Sequence, residues 1–357
     1  MDIKELLQFM VTQNISDIHF KANSAPLIRL NGNLIFTQHA PFAGDLIQQL
    51  AYKLMNDSHK KRFEENGELD FAYSLDNVSR FRINVYRQKG SMALTLRVIP
   101  LTLKNFDDLH LPTAYLQKMC ELSAGLFLIS GVTGAGKTTT LNAMVNYINE
   151  NWSYNIIAIE DPIEFYHSDK KCSVSQREVG IDTQSFGTAL KYILRQDPDV
   201  IVIGEMRDPE TIHAAITAAE TGHLVLSTIH TMDALQTIQR IVDSYPSAQQ
   251  NQVRVSVANV LQGVLAQKLL PTQDKQSRVP CMERLAMTPY IRQLITDGKI
   301  SDVYTAMSRG QNEGMMTFDQ DLLRLCREGA ISTETAMAQS SRPDNLLSML
   351  QGISVKL

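Results

Sequence analysis

The residues Gly131-Val132-Thr133-Gly134-Ala135-Gly136-Lys137-Thr138 satisfy the pattern G-x-x-x-x-G-K-[ST] at every position. The glycines let backbone N–H groups converge on phosphate oxygens, the lysine reaches the β and γ phosphates, and the hydroxyl that follows can ligate Mg²⁺. The pattern therefore predicts ATP and Mg²⁺ as cofactors. It places Gly131, Thr133, Gly134, Ala135, Gly136, Lys137, Thr138 and Thr139 around the nucleotide, with Thr138 also on the metal.

Two groups of acids could complete such a site. Asp199-Val200-Ile201-Val202-Ile203-Gly204-Glu205 reads as an apolar strand ending in an acid, a form that brings a carboxylate to the metal side of a bound nucleotide. Glu205 can hold the metal, partly through water, or polarise the attacking water; the competing reading of an acid at a strand end is a helix cap. A second strand, Ile156 to Ile159, delivers Glu160-Asp161-Pro162-Ile163-Glu164 to the same edge of a sheet. Glu160 or Glu164 can orient the attacking water as general base, and the spacing does not choose between them. His223 and His230 bracket the strand Leu224 to Leu226, where a role in sensing the nucleotide weighs about the same as a satisfied core or surface position.

The elements that must hold these groups follow from the pattern around them. Leu126 to Ile129 precedes the glycine loop, and Leu141, Met144, Val145 and Ile148 give the next segment one apolar helical face. The strand candidates Leu126 to Ile129, Ile156 to Ile159, Val200 to Ile203 and Leu224 to Leu226 are apolar without alternation, as expected of parallel strands covered on both faces. Between the last two, Asp208 and Pro209 mark a helix start, with Ile212, Ala215, Ile216 and Ala219 on one face. In an open parallel sheet the ligand lies at the carboxyl ends of the strands, so the acids and the glycine loop meet there.

Residues 1–100 read as a small α+β module. Leu27 to Leu30 and Leu34 to Phe36 flank the hairpin signal Asn31-Gly32. Leu69 to Leu75, Arg80 to Tyr86 and Ala93 to Ile99 form a meander broken by Asp76-Asn77 and Gln88-Lys89-Gly90. Residues 101–112, between Pro100 and Pro112, read as a linker, 113–270 as the α/β domain and 271–357 as a helical subdomain around Tyr290 to Ile295 and Phe318 to Leu325.

The composition limits the setting. A chain of 357 residues, 44% hydrophobic and 20% charged, has enough apolar material for two packed domains. Its apolar runs are far shorter than the roughly twenty residues of a membrane helix, and Asp2 and Glu5 stand where a signal peptide is basic, so the expected address is cytoplasmic. Cys120, Cys172, Cys281 and Cys326 are widely spaced, which predicts reduced structural thiols rather than a zinc module. A formal charge of −4 gives no general attraction to nucleic acid, and none is expected as a partner.

Taken together the motifs resemble the secretion ATPases of type II secretion and type IV pili, and within them the retraction branch. Ile159-Glu160-Asp161-Pro162-Ile163-Glu164-Phe165 resembles the family's Asp box, Val202 to Asp208 its Walker B segment, and Thr221 to His230 its His box. Ser16-Asp17-Ile18-His19-Phe20 is similar to the start of its PAS-like N-terminal domain. The resemblance implies a RecA-like ATPase domain in a homohexameric ring, with nucleotide bound between the two domains. It also implies that Arg82 and Arg97 reach nucleotide at a subunit interface; Arg195 matches a family segment without a clear role. Within the family, a missing tetracysteine module and a short N-terminal region favour retraction over assembly or export. The implied partner is the inner-membrane platform protein of the pilus, with a paralogous ATPase as a second candidate, and the implied location is the cytoplasmic face of that membrane. Tyr290 in Tyr290-Ile291-Arg292-Gln293-Leu294-Ile295 departs from the branch's Ala-Ile-Arg helix, which leaves an independent motor and an accessory one both open.

Overall fold

The computed structural model describes residues 2–30, 32–75, 78–99 and 103–351. Asn31 of the hairpin signal, the Asp76-Asn77 break and the beginning of the linker at Pro100 lie outside the described residues. Contacts divide the chain into Met1–Leu103 with Pro162–Tyr166, and Lys104–Asp161 with His167–Leu357.

The first unit contains α1 (Ile3–Thr12), β1 (Ile15–Phe20), β2 (Leu27–Leu30), β3 (Asn33–Phe36), α2 (Gly44–Leu54), α3 (Asp57–Asn66), β4 (Glu68–Leu75), β5 (Ser79–Gln88) and β6 (Ser91–Ile99). Among the described residues the strands form one antiparallel sheet in the order β3-β2-β1-β6-β5-β4. Period-2 alternation sends Phe81, Ile83 and Val85 of β5 into a core with Phe20, Leu50, Phe63 and Leu94. Register then determines what shares the other face. Arg82 is opposite Arg97, Arg97 opposite Asp17 and Asp17 opposite Arg29, so four charged residues form one row across four strands.

The second unit contains α4 (Thr113–Cys120), β7 (Gly125–Ser130), α5 (Lys137–Asn151), β8 (Asn155–Glu160), β9 (Ser173–Glu178), α6 (Phe186–Ile193), β10 (Val200–Ile203), α7 (Pro209–Glu220), β11 (Leu224–Ile229), α8 (Ala234–Asp243), α9 (Gln250–Val260), β12 (Leu261–Pro271), β13 (Arg278–Ala286), α10 (Pro289–Thr296), α11 (Ile300–Arg309), α12 (Phe318–Arg327), α13 (Thr333–Gln339) and α14 (Pro343–Leu350). Its sheet runs β13-β12-β7-β11-β10-β8-β9, parallel except for the β12–β13 pair. β7, β10 and β11 are buried along their whole length, which is why their sequences are apolar without alternation. The Asp208 side chain caps α7 by accepting from Thr211 N, with Pro209 at the first helical position.

Two sequence expectations differ from these findings. The boundary expected after Leu270 falls inside the β12–β13 hairpin, so the segment beyond it opens as a strand that completes the sheet before any helix. The stretch expected as a linker carries Phe106 and Leu111 into the core of the second unit, because apolar side chains at those positions gain more from burial than from solvent.

Candidate functional site

The glycine loop lies between buried β7 and the start of α5. Gly131 has φ +150° and Gly136 φ +90°, and a Cβ on Gly131 would collide with the carbonyl oxygen of Gln267 while one on Gly136 would stand 2.8 Å from the Gln267 amide nitrogen. Only glycine fits a backbone this close to β12. Gln267 also accepts from Thr140 Oγ1 at 2.9 Å inside the protein, so β12 supports the loop from below. Lys137 is 7% exposed and donates to the carbonyls of Gly131 at 2.9 Å and Val132 at 3.2 Å, which curls the loop around its ammonium.

At the neighbouring strand ends, Glu205 follows β10 and is held from two sides. Arg207 Nη2 is 2.8 Å from Oε2 and His230 Nε2 is 2.8 Å from Oε1. Burial opposes ionisation of this carboxyl, but the Arg207 hydrogen bond and the charges of His230, Arg207 and Lys137 outweigh it and hold the group below the usual carboxylate range. The turn beneath Glu205 is fixed by Thr228 Oγ1, which donates to Gly204 O at 2.7 Å, and by Gly204 N, which donates to Ile159 O at 2.8 Å. Glu160 ends β8 beside this turn and is buried, with Gln176 Nε2 donating to its Oε1 at 2.8 Å.

The phosphate-loop helix is tied further to the segment after the Asp box. Asn142 Nδ2 donates to Thr138 O at 2.9 Å, which orients its amide so that Oδ1 faces His167 Nε2 at 2.6 Å. That acceptor assigns the proton of His167 to Nε2. Burial, with a smaller contribution from Lys170, pushes His167 down to about 4, so the ring is neutral at physiological pH.

Two expected residues, His223 and Arg195, lie at the opposite edge of the sheet. His223 is at the amino end of β11, whereas the loop, Glu160, Glu205 and His230 are at carboxyl ends; parallel strands put the two histidines roughly 20 Å apart at about 3.3 Å per residue. His223 Nδ1 is satisfied by Ala218 O at 3.0 Å and Thr221 Oγ1 at 3.1 Å, as a polar residue closing a helix. Arg195, exposed just before β10, is at that same amino edge. Glu164 belongs by contacts to the first unit, where Arg82 Nη1 is 3.6 Å from its carboxylate; Arg82 also forks onto Asp70 at 2.9 and 3.3 Å. Arg97 Nε donates to buried Asp17 at 2.6 Å.

Gln267, Arg207, Asn142 and His167 were not singled out from the sequence. Arg207 lies two positions from Glu205 and its charge was a usable signal; the other three act through contacts that pattern does not reveal.

Chemically, the second unit offers backbone N–H groups and a lysine for a phosphate chain, a hydroxyl at Thr138, and an ionised acid at the end of β10, one strand beyond β11. Among the described residues no group of three or more His, Cys, Asp or Glu could hold a metal ion unaided. The Thr138 hydroxyl and the Glu205 carboxylate are hard oxygen donors of the kind Mg²⁺ takes alongside water and substrate phosphates.

Comparison with known proteins agrees with this arrangement. Residues 1–343 match the family described as Type II/IV secretion system protein. The chain is similar to the type IV pilus retraction ATPase PilT of Pseudomonas aeruginosa, at 41% identity over 97% of the chain and 100% of the relative. It is equally similar, at 41% over 96% of the chain and 92% of the relative, to a twitching motility protein of Neisseria gonorrhoeae. A crystal structure of the pilus retraction motor PilT with bound ADP superposes with a TM-score of 0.90 and 43% identity, covering 98% of this chain and 100% of that one. Among the described residues no helix is long and apolar enough to cross a membrane.

Proposed function

Because the chain belongs to the Type II/IV secretion system protein family, we propose that it is an ATP-hydrolysing motor that powers type IV pilus retraction. The observation that carries this reading is the ionised Glu205, clamped between Arg207 and His230 and acted on by the Lys137 charge. On nucleotide binding Lys137 exchanges the Gly131 and Val132 carbonyls for phosphate oxygens, and Thr138 with Glu205 serves Mg²⁺, which when bound neutralises charge on the β and γ phosphates. Glu160 is committed to Gln176, which favours Glu164 as the group that orients the attacking water. Arg82 and Arg97 serve the nucleotide of a neighbouring subunit in a homohexamer, and the ring works on an inner-membrane platform protein from the cytoplasmic face. His230 reports the state of the nucleotide to the rest of its unit through Glu205.

Two measurements test the reading. Purified protein should hydrolyse ATP only with Mg²⁺ present, and cells lacking it should assemble surface pili that do not retract. Cells without any assembled pili would assign the protein to assembly instead, and retraction that persists while another motor is present would assign it an accessory role.

A further inference from the structure

β13 meets the C-terminal helices at its centre. Met282 N donates to Asp321 Oδ2 at 2.8 Å, and Arg284 exchanges backbone hydrogen bonds with Met316 at 2.8 and 3.0 Å. Between them Glu283 is 2% exposed. Its Oε1 accepts at 2.9 Å from Ala234 N, the first residue of α8, and the backbone amide of Phe318, the first residue of α12, favours its charged form. Each helix already has its own cap, Asp233 for α8 and Thr317 for α12. A buried acid bonded to the start of α8, on the strand to which Asp321 ties α12, is thus not needed to cap either helix, and it carries a desolvation cost that a neutral residue would avoid. Burial, helped by Asp233 and opposed by the two N–H donors and Lys268, pushes Glu283 up to about 7; Tyr304 of α11 also feels its charge.

The start of α8 is four positions beyond His230, and the turn between them is stiff. Thr231 Oγ1 and Thr237 Oγ1 are 2.6 Å apart in the interior, and Thr237 Oγ1 donates to Asp233 O at 2.7 Å. We infer that Glu283 is a positioning residue, the joint through which the His230 turn and the C-terminal helices beginning with α12 shift together. The inference rests on the proposed ATPase reading for its purpose: a changed contact at Glu205 and His230 is carried to α12 and the helices that follow it.

Ala234→Pro breaks the joint. Proline is tolerated at the first helical position, Asp233 before it is already extended at φ −150° and ψ 174°, and the substitution removes the N–H that Glu283 accepts while adding ring carbons at a fully buried position, so the distribution of any loosening is read along with its size. Amide hydrogen exchange in the full-length protein, read at residues 318–325 of α12, is the probe. The expected result is exchange in α12 accelerated at least about fivefold by Ala234→Pro, with Glu283→Gln doing the same and thermal unfolding still cooperative in both. Unchanged α12 exchange in Ala234→Pro overturns the joint, as does acceleration spread evenly over the unit, which is general destabilisation. ATP turnover gives a separate arm: both variants should lose kcat severalfold with KM within about twofold of wild type. Loss only in KM, or none, overturns the positioning role. A wild-type protein without turnover refutes the ATPase reading alone, since the exchange result decides the joint independently.

Discussion

The guanidinium of Arg82 lies 3.6 Å from the carboxylate of Glu164, and the same guanidinium forks onto Asp70. A residue expected to act on nucleotide and one expected to act on water therefore hold each other in this chain. The pairing orients Glu164, as a general base must be oriented. Glu164→Gln keeps the shape and loses the basicity, so ATP affinity should remain near normal while turnover falls by about a hundredfold or more. Equilibrium binding beside single-turnover hydrolysis checks it, and weakened binding with intact hydrolysis would reverse the assignment.

Glu205 differs because Arg207, His230 and Lys137 all act on its charge. Glu205→Gln should lose both turnover and the Mg²⁺-dependent part of ATP affinity, since a negative group on the metal side is gone. Titration of nucleotide binding with and without Mg²⁺ measures this directly; an Mg²⁺ dependence equal to wild type counts against a metal-side role.

Lys137 makes two hydrogen bonds to carbonyls of its own loop, and removing its ammonium takes away a phosphate ligand rather than an apolar core side chain. Lys137→Ala should abolish ATP turnover with little change in melting temperature. Turnover at the wild-type level in that variant would remove the loop from the reaction.

Arg97 neutralises buried Asp17, so truncating it confounds folding with chemistry. Arg97→Lys keeps the charge for Asp17 and loses the planar fork that binds phosphate. Turnover should drop while stability holds, and mixing Arg97→Lys with Lys137→Ala subunits should restore activity above either alone. A mixture no more active than its components argues against a site shared between subunits.

Gln267 pairs with Thr140 in the interior beneath the glycine loop. Gln267→Ala leaves a buried hydroxyl unsatisfied, at a cost of about 1–3 kcal/mol, and lets the loop sag. The midpoint of urea unfolding should fall and KM for ATP should rise together; a change in only one would separate loop support from folding.

His167 and Glu283 tilt the pH dependence of stability in opposite directions. His167 titrates near 4 when folded and near 6.5 when not, so the unfolded chain binds the proton more tightly and the stability tied to this ring is lost as pH falls from 6.5 to 4. Glu283 titrates near 7 folded against 4.5 ordinarily, so its contribution is present below 4.5 and lost as pH rises to 7. Each is worth up to about 3 kcal/mol and they oppose each other between pH 4.5 and 6.5. Relative to wild type, His167→Gln should lose stability with rising pH across that window and Glu283→Gln should gain it. Urea midpoints at four pH values decide the matter, because the slopes carry the signal whatever each substitution does to the level.

The sequence by itself determined whatever is written locally. The glycine loop is fixed by its own φ requirements, β10 by a four-residue apolar run, and the start of α7 by Asp208 and Pro209. Residue order was enough to bring Glu160 and Glu205 to the loop, because consecutive parallel strands all point their carboxyl ends one way. The same rule, applied to both ends of β11, would have excluded His223 from that edge.

Tertiary structure alone decided the rest. β12 follows α9 directly at Leu261 with no glycine or proline between them, so no local signal announces a strand, and its identity comes from pairing with β7 and β13. Everything that depends on that pairing was therefore invisible in sequence: Gln267 under Gly131, 127 positions from Thr140, and Glu283 between helix starts, 49 positions from Ala234. Such contacts are chosen by how a whole sheet closes over its core, where burial of side chains distant in sequence outweighs the preferences of any short segment.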